Sequence, residues 1–495
     1  MNSNQSSYRS IMKATSVFGG VQVFTIIISI IRSKFIALFL GAGGMGIAGL
    51  LTSTIGVVGG LTNFGLGMSA IRDISSANAS GDDNRIALVI NVLRRWIWVT
   101  GLLGVFVVMA FSPLLSKIAF GNSAYIGSFV IISSTLLFNQ LNAGQLALMQ
   151  GLQKIRYLAK ASLAGNITGL LVTVPLYYYF GNDGIVPALV ATSIISLYIS
   201  WYFASKIHIK PTKFSRETAF AEGKNMLKIG FLINLSTLMV ALTTYIVQLF
   251  ISNSGGIVQV GLFTAGFAII NTYVGLVFNA MGTDYYPRLS AVAHSNEACK
   301  KTINQQGEIS ILILGPIVMF FLIFAKVIIL VLYSDKFGSI EDMVMWLSLA
   351  TFFKAGSWAI AFILLAKGVS KLFFWNELAA NAYALIFDLL GYYFWGLTGL
   401  GVACFLAFTV YFAQVYMLCK SKYNFGFEKS FIKIFTVQFS LAILCFLAGK
   451  FLQDKYSYIF GVILIVCAIA FSYVELNKRL GLQILLNEFL NKLKK

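Results

Sequence analysis

Charge is scarce in this sequence, and acid is scarcer still. In 495 residues there are 18 Asp and Glu against 37 Lys and Arg, and only 11% of the chain is charged while 58% is hydrophobic. So few charges cannot clothe a soluble domain of this size, which excludes a soluble enzyme and points to a polytopic membrane protein. Histidine is nearly absent: His208 and His294 stand in separate basic loops without metal-ligand spacing, so no metal site is expected. The five cysteines, Cys299, Cys404, Cys419, Cys445 and Cys467, form no CxxC pair and fall in apolar runs or basic loops, as reduced, inert thiols do rather than a disulfide frame. Walker A and HExxH motifs are missing, and so is any D-x-D of the metal-nucleotide type. Every external loop is short, leaving no room for an extracellular catalytic site. Catalysis is therefore disfavoured, and no cofactor is expected. The one letter-for-letter motif, GAGGMG at Gly41 to Gly46, matches G-x-G-x-x-G but follows a membrane helix rather than a strand, so it reads as a turn and not as a dinucleotide loop.

What the sequence has in abundance is long apolar runs. About 20 apolar residues cross a hydrocarbon core, and hydropathy with turn punctuation places fourteen spans at about 16–40, 46–71, 92–115, 125–149, 158–180, 184–205, 226–251, 257–282, 309–333, 342–366, 373–395, 398–419, 431–451 and 456–477. The first follows Arg9 and Lys13 as a signal peptide would, but it is too long and lacks an A-x-A site, so it stays as a span. With both termini cytoplasmic, external loops hold only Lys117, Lys336, Lys450 and Lys455, and the spans hold Arg32, Lys34, Lys326 and Lys354; all other Lys and Arg fall on the cytoplasmic side. The positive-inside rule accounts for the net charge of +19 without nucleic acid.

A shift of 212 residues lays Gln22–Thr52 on Asn234–Thr264, with Thr25/Thr237, Gly43/Gly255, Gly44/Gly256, Gly49/Gly261, Leu50/Leu262 and Thr52/Thr264 identical. The seventh span thus reads as a copy of the first. Six spans separate the copies, so both run the same way, as in two halves related by an axis along the membrane normal. The expected architecture is all-α: a six-helix lobe at 1–210, a second at 211–425, an additional helix pair at 426–477, and a basic amphipathic surface helix at 478–495 carrying Leu482, Leu485, Phe489 and Leu493 on one side.

Arg32 is the leading candidate for function. A cation near the bilayer centre costs roughly 2.5 to 3.5 kcal/mol on insertion scales, and Gln22, Thr25, Ser29 and Arg32 lie within an arc of about 80°. A guanidinium on a wet face grips phosphate with a fork of donors; the alternative is an arginine snorkelling or paired within the bundle. Lys34 lies about 200° round and points elsewhere. Lys354 is too central to snorkel easily and ranks with Arg32, whereas Lys326 is within reach of the surface. In span eleven Glu377, Asn381, Asp388 and Tyr392 share a face; Asp388, and less so Glu377, is placed to carry a coupling proton, to bind sugar, or simply to neutralise Lys354 or Arg32. Span four carries Asn139, Gln140, Asn142, Gln145 and Gln150, and span seven repeats the polar stripe with Asn234, Thr237, Thr244 and Gln248. Hydrophilic cavity and interhelical hydrogen bonding explain these amides equally well.

The run R-S-K-F-I-A-L-F-L-G-A-G (Arg32 to Gly43), G-I-A-G-L-L (Gly46 to Leu51) and F-G-L-G-M-S-A-I-R-D (Phe64 to Asp73), together with two six-helix halves, resembles the multidrug/oligosaccharidyl-lipid/polysaccharide exporter superfamily. Within it the chain looks most like the bacterial polysaccharide-repeat (Wzx, O-antigen) flippases of lipopolysaccharide biosynthesis. The resemblance implies a MATE-like fold in the bacterial inner membrane and an undecaprenyl-pyrophosphate-linked oligosaccharide as substrate. It also implies a basic cavity in which Arg32 matches a cavity-facing arginine of the related murein-lipid flippases. Fourteen spans depart from the usual twelve of Wzx proteins and equal the murein-lipid count, so a murein-lipid flippase stays open, as does a cation-coupled drug exporter. The latter would more naturally carry acids in its N-terminal half, and spans one to six hold none. The resemblance leaves open whether the protein works alone or beside a polysaccharide polymerase and chain-length proteins.

Overall fold

The computed structural model describes residues 24–209 and 216–480, and these are almost wholly helical. Gln22 and the tail beyond Leu480 lie outside the described residues. In chain order the helices are α1 (24–39), α2 (Gly41–Thr62), α3 (Leu66–Ser80), α4 (Asp83–Phe120), α5 (Ile126–Gly151), α6 (Ile155–Phe180), α7 (Ile185–Ser205), α8 (Arg216–Gly255), α9 (Ile257–Ile269), α10 (Gly275–Ala291), α11 (Asn296–Ile323), α12 (Ala325–Leu332), α13 (Glu341–Ala366), α14 (Ser370–Tyr423), α15 (Lys429–Phe451) and α16 (Asp454–Leu480).

Eleven helical runs among the described residues are long and apolar enough to cross a membrane. Two of them hold a pair of expected spans each. The run Ile155–Ser205 turns at Gly181–Gly184, and the 54-residue α14 would be about 80 Å long if straight but turns at Gly396, whose φ of 57° only glycine adopts freely. Across that turn Gly391 and Gly399 meet backbone to backbone, since a Cβ on Gly399 would fall 1.8 Å from the Gly391 carbonyl oxygen. The expected 46–71 span ends earlier, at Thr62, because Phe64 and Gly65 both adopt positive φ and break the helix before α3. The expected 309–333 span breaks at Phe324 between α11 and α12.

The chain falls into two compact units, the first reaching Gly261 and including Leu332–Ser334, the second comprising the rest. In the first, α8 packs on α2, α3 and α4, while α5 and α6 pack on α7. By contact, therefore, α8 belongs with the helices before it, whereas the 210/211 division rests on repeat and helix count; that division remains a proposal. The glycine run is packing as well as turn: a Cβ on Gly46 would meet the Ile257 carbonyl at 2.0 Å, and one on Gly261 would meet that of Ala42 at 1.8 Å. The left-handed turn glycines are Gly41 and Gly256, with φ of 62° and 84°. The ungapped shift pairs Gly256 with Gly44 instead, so the two helix breaks differ by three residues, almost one helical turn.

Each unit carries one dense apolar cluster near its basic loops. In the first it gathers Leu66, Ile74, Leu93, Leu148 and Met226; in the second, Tyr285, Ile303, Ile360 and Phe425, with the Tyr285 hydroxyl donating to the Ala359 carbonyl at 2.5 Å. Water provides a hydrophobic drive at these ends that lipid cannot provide between helices at mid-membrane.

The last two helices are clamped to α11 by charge. Arg479 donates to Glu308 at 2.7 Å and to Glu475 at 2.5 Å, Ser430 bonds to Glu308, and both carboxylates are buried. Removing Glu308 takes away its charge-assisted bonds to Arg479 and Ser430, at about 2 kcal/mol, and leaves Arg479 held by Glu475 alone. Glu308→Ala should accordingly lower the melting temperature of the detergent-solubilised protein by several degrees. Lys433→Ala, which removes only an exposed partner of Glu475, should move it by less than one third as much; equal shifts would show that the clamp is not what holds the pair.

Candidate functional site

Helices α2, α4, α5, α7 and α8 of the first unit enclose a cavity of about 580 Å³. Its wall is amide, hydroxyl and aliphatic, and none of the residues lining it is charged. Thr52 and Asn63 come from α2 and its end, Thr100 from α4, Asn139 and Gln140 from α5, Thr192 and Ser196 from α7, Asn234 and Thr237 from α8. Some of these groups are already engaged: Gln140 donates to the Thr100 hydroxyl at 3.1 Å, Asn234 to the Gly60 carbonyl at 3.3 Å, and Thr192 back to Ala188 at 2.6 Å. Asn139, Ser196 and Thr237 make no hydrogen bond to the described protein and face the hollow with donors and acceptors free.

Arg32 is not one of the residues lining this cavity, but its head group lies near the wall residue Thr192. A Cβ on Gly169 of α6 would approach Arg32 Nη2 at 3.0 Å and Thr192 Cγ2 at 3.3 Å, so the guanidinium and the cavity wall share one glycine-made gap. The buried Tyr177, two turns further along α6, feels the same charge. Arg32 Nε is enclosed with no hydrogen-bond partner, and no described carboxylate forms an ion pair with the guanidinium. Neutralisation by a described carboxylate therefore does not explain it. Lys34, on the same helix, points elsewhere and donates to the Tyr333 carbonyl at 2.6 Å.

The second unit holds the other predicted charges. Lys354 Nζ lies over the rings of Phe278 and Phe408, 5.5 and 5.4 Å from their centroids, a cation–π setting in place of an ion pair. Asp388 forms no ion pair with it; Cys404 lies near enough to feel both charges. Glu377 is tied down: it accepts from the Tyr411 hydroxyl at 2.5 Å and from Asn376 at 3.4 Å, and Gln414 extends the network to Asn376 at 2.9 Å. Lys326 behaves as its reach predicts, pairing with Asp454 at 2.6 Å where both side chains are well exposed.

Of the predicted lining residues, Asn139 and Asn234 are on the cavity wall. Thr25, Ser29, Asn142, Thr244 and Gln248 are not on the wall of this cavity; Gln248 is buried with its Oε1 unpartnered, Thr244 bonds back to Val240, and Asn381 donates to the Glu377 carbonyl within its own helix. Sequence reasoning missed Thr192, Ser196 and Thr100 on the wall, and the aromatic pair under Lys354. Thr192 and Ser196, spaced i, i+4 on one face of α7, were the available signal. Both histidines are exposed, and no cluster of metal-ligating side chains occurs among the described residues.

Comparison with solved structures shows the same fold in known transporters. An inward-closed structure of the lipid II flippase MurJ aligns with a TM-score of 0.71 at 14% identity, covering 94% of this chain and 99% of that one. An inward-facing multidrug resistance MATE family transporter of the MOP superfamily aligns at 0.68 and 13% identity, covering 81% and 94%. A Pyrococcus furiosus MOP superfamily transporter, described as having a binding pocket of reverse polarity, aligns at 0.60 and 14%, covering 83% and 96%. No curated protein matches the sequence. A family model described as polysaccharide biosynthesis protein matches residues 35–342, more than half of the chain, and the chain belongs to that family.

Proposed function

We propose that this chain is a flippase that carries undecaprenyl-pyrophosphate-linked oligosaccharide repeat units of O-antigen type across the bacterial inner membrane by alternating access. Both termini would be cytoplasmic. The observation that carries the reading is the unpaired Arg32 beside Gly169, close to Thr192 on the wall of an uncharged cavity lined with amides and hydroxyls. Sugars are bound by many neutral hydrogen bonds, a diphosphate by a guanidinium fork, and the first unit supplies both next to each other. A drug exporter selecting organic cations would place acid where this cavity has none. Membership of a polysaccharide biosynthesis family and the fold of a lipid II flippase support the lipid-linked substrate.

In the second unit Lys354 is the candidate cation for diphosphate, held upright by Phe278 and Phe408, and Asp388, free of ion pairs, is the candidate for a coupling proton, with the bonded Glu377 second to it. A murein-lipid substrate is the second reading, favoured by the alignment over nearly the whole of both chains with the lipid II flippase. The two substrates share the undecaprenyl diphosphate and differ in the sugar and peptide beyond it.

Arg32→Ala should reduce translocation in proteoliposomes, or surface polysaccharide at normal protein levels, at least tenfold, the equivalent of about 1.4 kcal/mol. Arg32→Lys should recover part of it as a point charge without the fork. Full activity in Arg32→Ala would remove the diphosphate role. Asn139→Leu should weaken binding of the lipid-linked oligosaccharide about fivefold, one lost hydrogen bond, while leaving bare undecaprenyl pyrophosphate unaffected; equal weakening of both would place the sugar elsewhere. Tighter binding of the murein lipid than of the oligosaccharide lipid would select the second reading.

A further inference from the structure

A second hollow of about 580 Å³ lies in the first unit, on the outer side of α4, α5 and α7, and it differs in character from the cavity beside Arg32. Its lining is mostly apolar, aliphatic at Ile97, Leu141, Ile194 and Leu197, with the amide of Gln145 on it, and its only charged residue is Arg94. Arg94 has no carboxylate within ion-pair distance and no hydrogen bond to the described protein. Trp98, Tyr198 and Trp201 stand around it, each at least half exposed.

The depth of Arg94 follows from helix length. The 38 residues of α4 make about 57 Å of helix against a hydrocarbon core of about 30 Å, so nearly half of α4 projects beyond it. Arg94 and Trp98 on α4 share the hollow with Tyr198 and Trp201 on α7, and one turn on from Tyr198, Lys206 Nζ caps the Tyr202 ring at 4.1 Å. A band of Trp and Tyr with basic residues beside it marks the membrane–water boundary. The groove therefore begins at headgroup level on the basic side of the membrane and runs inward between apolar walls.

We infer that this groove holds an anionic phospholipid of the surrounding bilayer, its phosphate on Arg94 and one acyl chain along Ile97, Leu141, Ile194 and Leu197. A lone guanidinium at the mouth of an apolar slot complements a lipid with net negative charge; a zwitterionic lipid carries its own cation next to the phosphate and gains less. The aromatic rings pack against the glycerol and upper chain. The site is independent of the proposed substrate and of Arg32.

The test is native mass spectrometry of the delipidated, full-length protein in detergent with equimolar phosphatidylglycerol and phosphatidylcholine. The wild type should retain phosphatidylglycerol several-fold over phosphatidylcholine. Arg94→Gln should lose that preference. Arg95→Gln, exposed and about 100° round the same helix, should keep it, and Ile194→Trp, filling the slot from its open side, should lose both lipids. Equal retention of the two lipids by the wild type, an undiminished preference in Arg94→Gln, or an equal fall in Arg95→Gln would overturn the site. So would undecaprenyl phosphate retained to the exclusion of phosphatidylglycerol, which would give the groove to the substrate carrier. A dimer that dissociates in Ile194→Trp would make the groove an interface between copies. Each variant alters a half-exposed side chain, and size-exclusion elution unchanged from wild type shows that it is folded.

Discussion

A guanidinium at membrane depth without a carboxylate beside it sets terms for everything around it. Left in lipid, Arg32 would carry the full penalty of a buried, partly unsatisfied ion. What lowers that penalty is the gap at Gly169, which lets the head group lie against α6 next to a hollow wet enough for Asn139, Ser196 and Thr237 to be left unbonded. Filling Gly169 with a side chain, or turning α7 so that Thr192 left the wall, would shut the guanidinium away from water. In the proposed reading the cation and the polar cavity act together: the cavity makes the charge tolerable, and the charge would give the cavity a preference for anions.

Since lipid tails give helices no reason to associate, something other than apolar burial must fix the cavity walls. Two devices do so. Within the bilayer, small residues bring backbones together, as where Gly46 and Gly261 place α2 against the start of α9. At the aqueous ends, where burial has its ordinary value, apolar clusters and buried ion pairs take over: Leu93, Leu148 and Met226 in one unit, Tyr285 and Phe425 in the other, and the Glu308–Arg479–Glu475 clamp on α11 and α16. The middle of the second unit is tied as well, by ring contacts of Phe353 with Phe405, Phe435 and Phe439.

The fold was largely legible because hydropathy and length alone define a span. The helices α14 and α6–α7 show the reading at its best: Gly396 and Gly181–Gly184 interrupt apolar runs too long for one crossing. The site was legible in its ions and only partly in its neutral groups. Arg32 and Lys354 stand out because charge at that depth is costly, and Asn139 and Asn234 because amides are rare there. Thr52, Thr100 and Thr192 escape notice because a threonine hydroxyl returns its proton to its own helix, Thr192 to Ala188 at 2.6 Å, and so passes as apolar until a neighbouring helix shows which way it faces. The repeat misled in register: identical glycines at Gly44 and Gly256 fit a fixed shift, yet the break they were matched on sits at Gly41 in the first copy.

The lysines show why residue type and depth do not settle a role. Lys326, Lys34 and Lys354 all occur in apolar runs, and each solves the same problem differently. Lys326 reaches the surface and Asp454; Lys34 ends on the carbonyl of Tyr333; Lys354, with neither within reach, lies over Phe278 and Phe408. Only the last solution leaves a positive charge without a hydrogen-bonded or anionic partner, because an aromatic face offers electrostatic attraction but no acceptor lone pair. Of the three, Lys354 is thus the one whose charge no described acceptor or carboxylate meets. By the same reasoning Asp388 forms no ion pair with Lys354, whereas the bonds of Glu377 to Tyr411 and Asn376 hold that carboxylate in place.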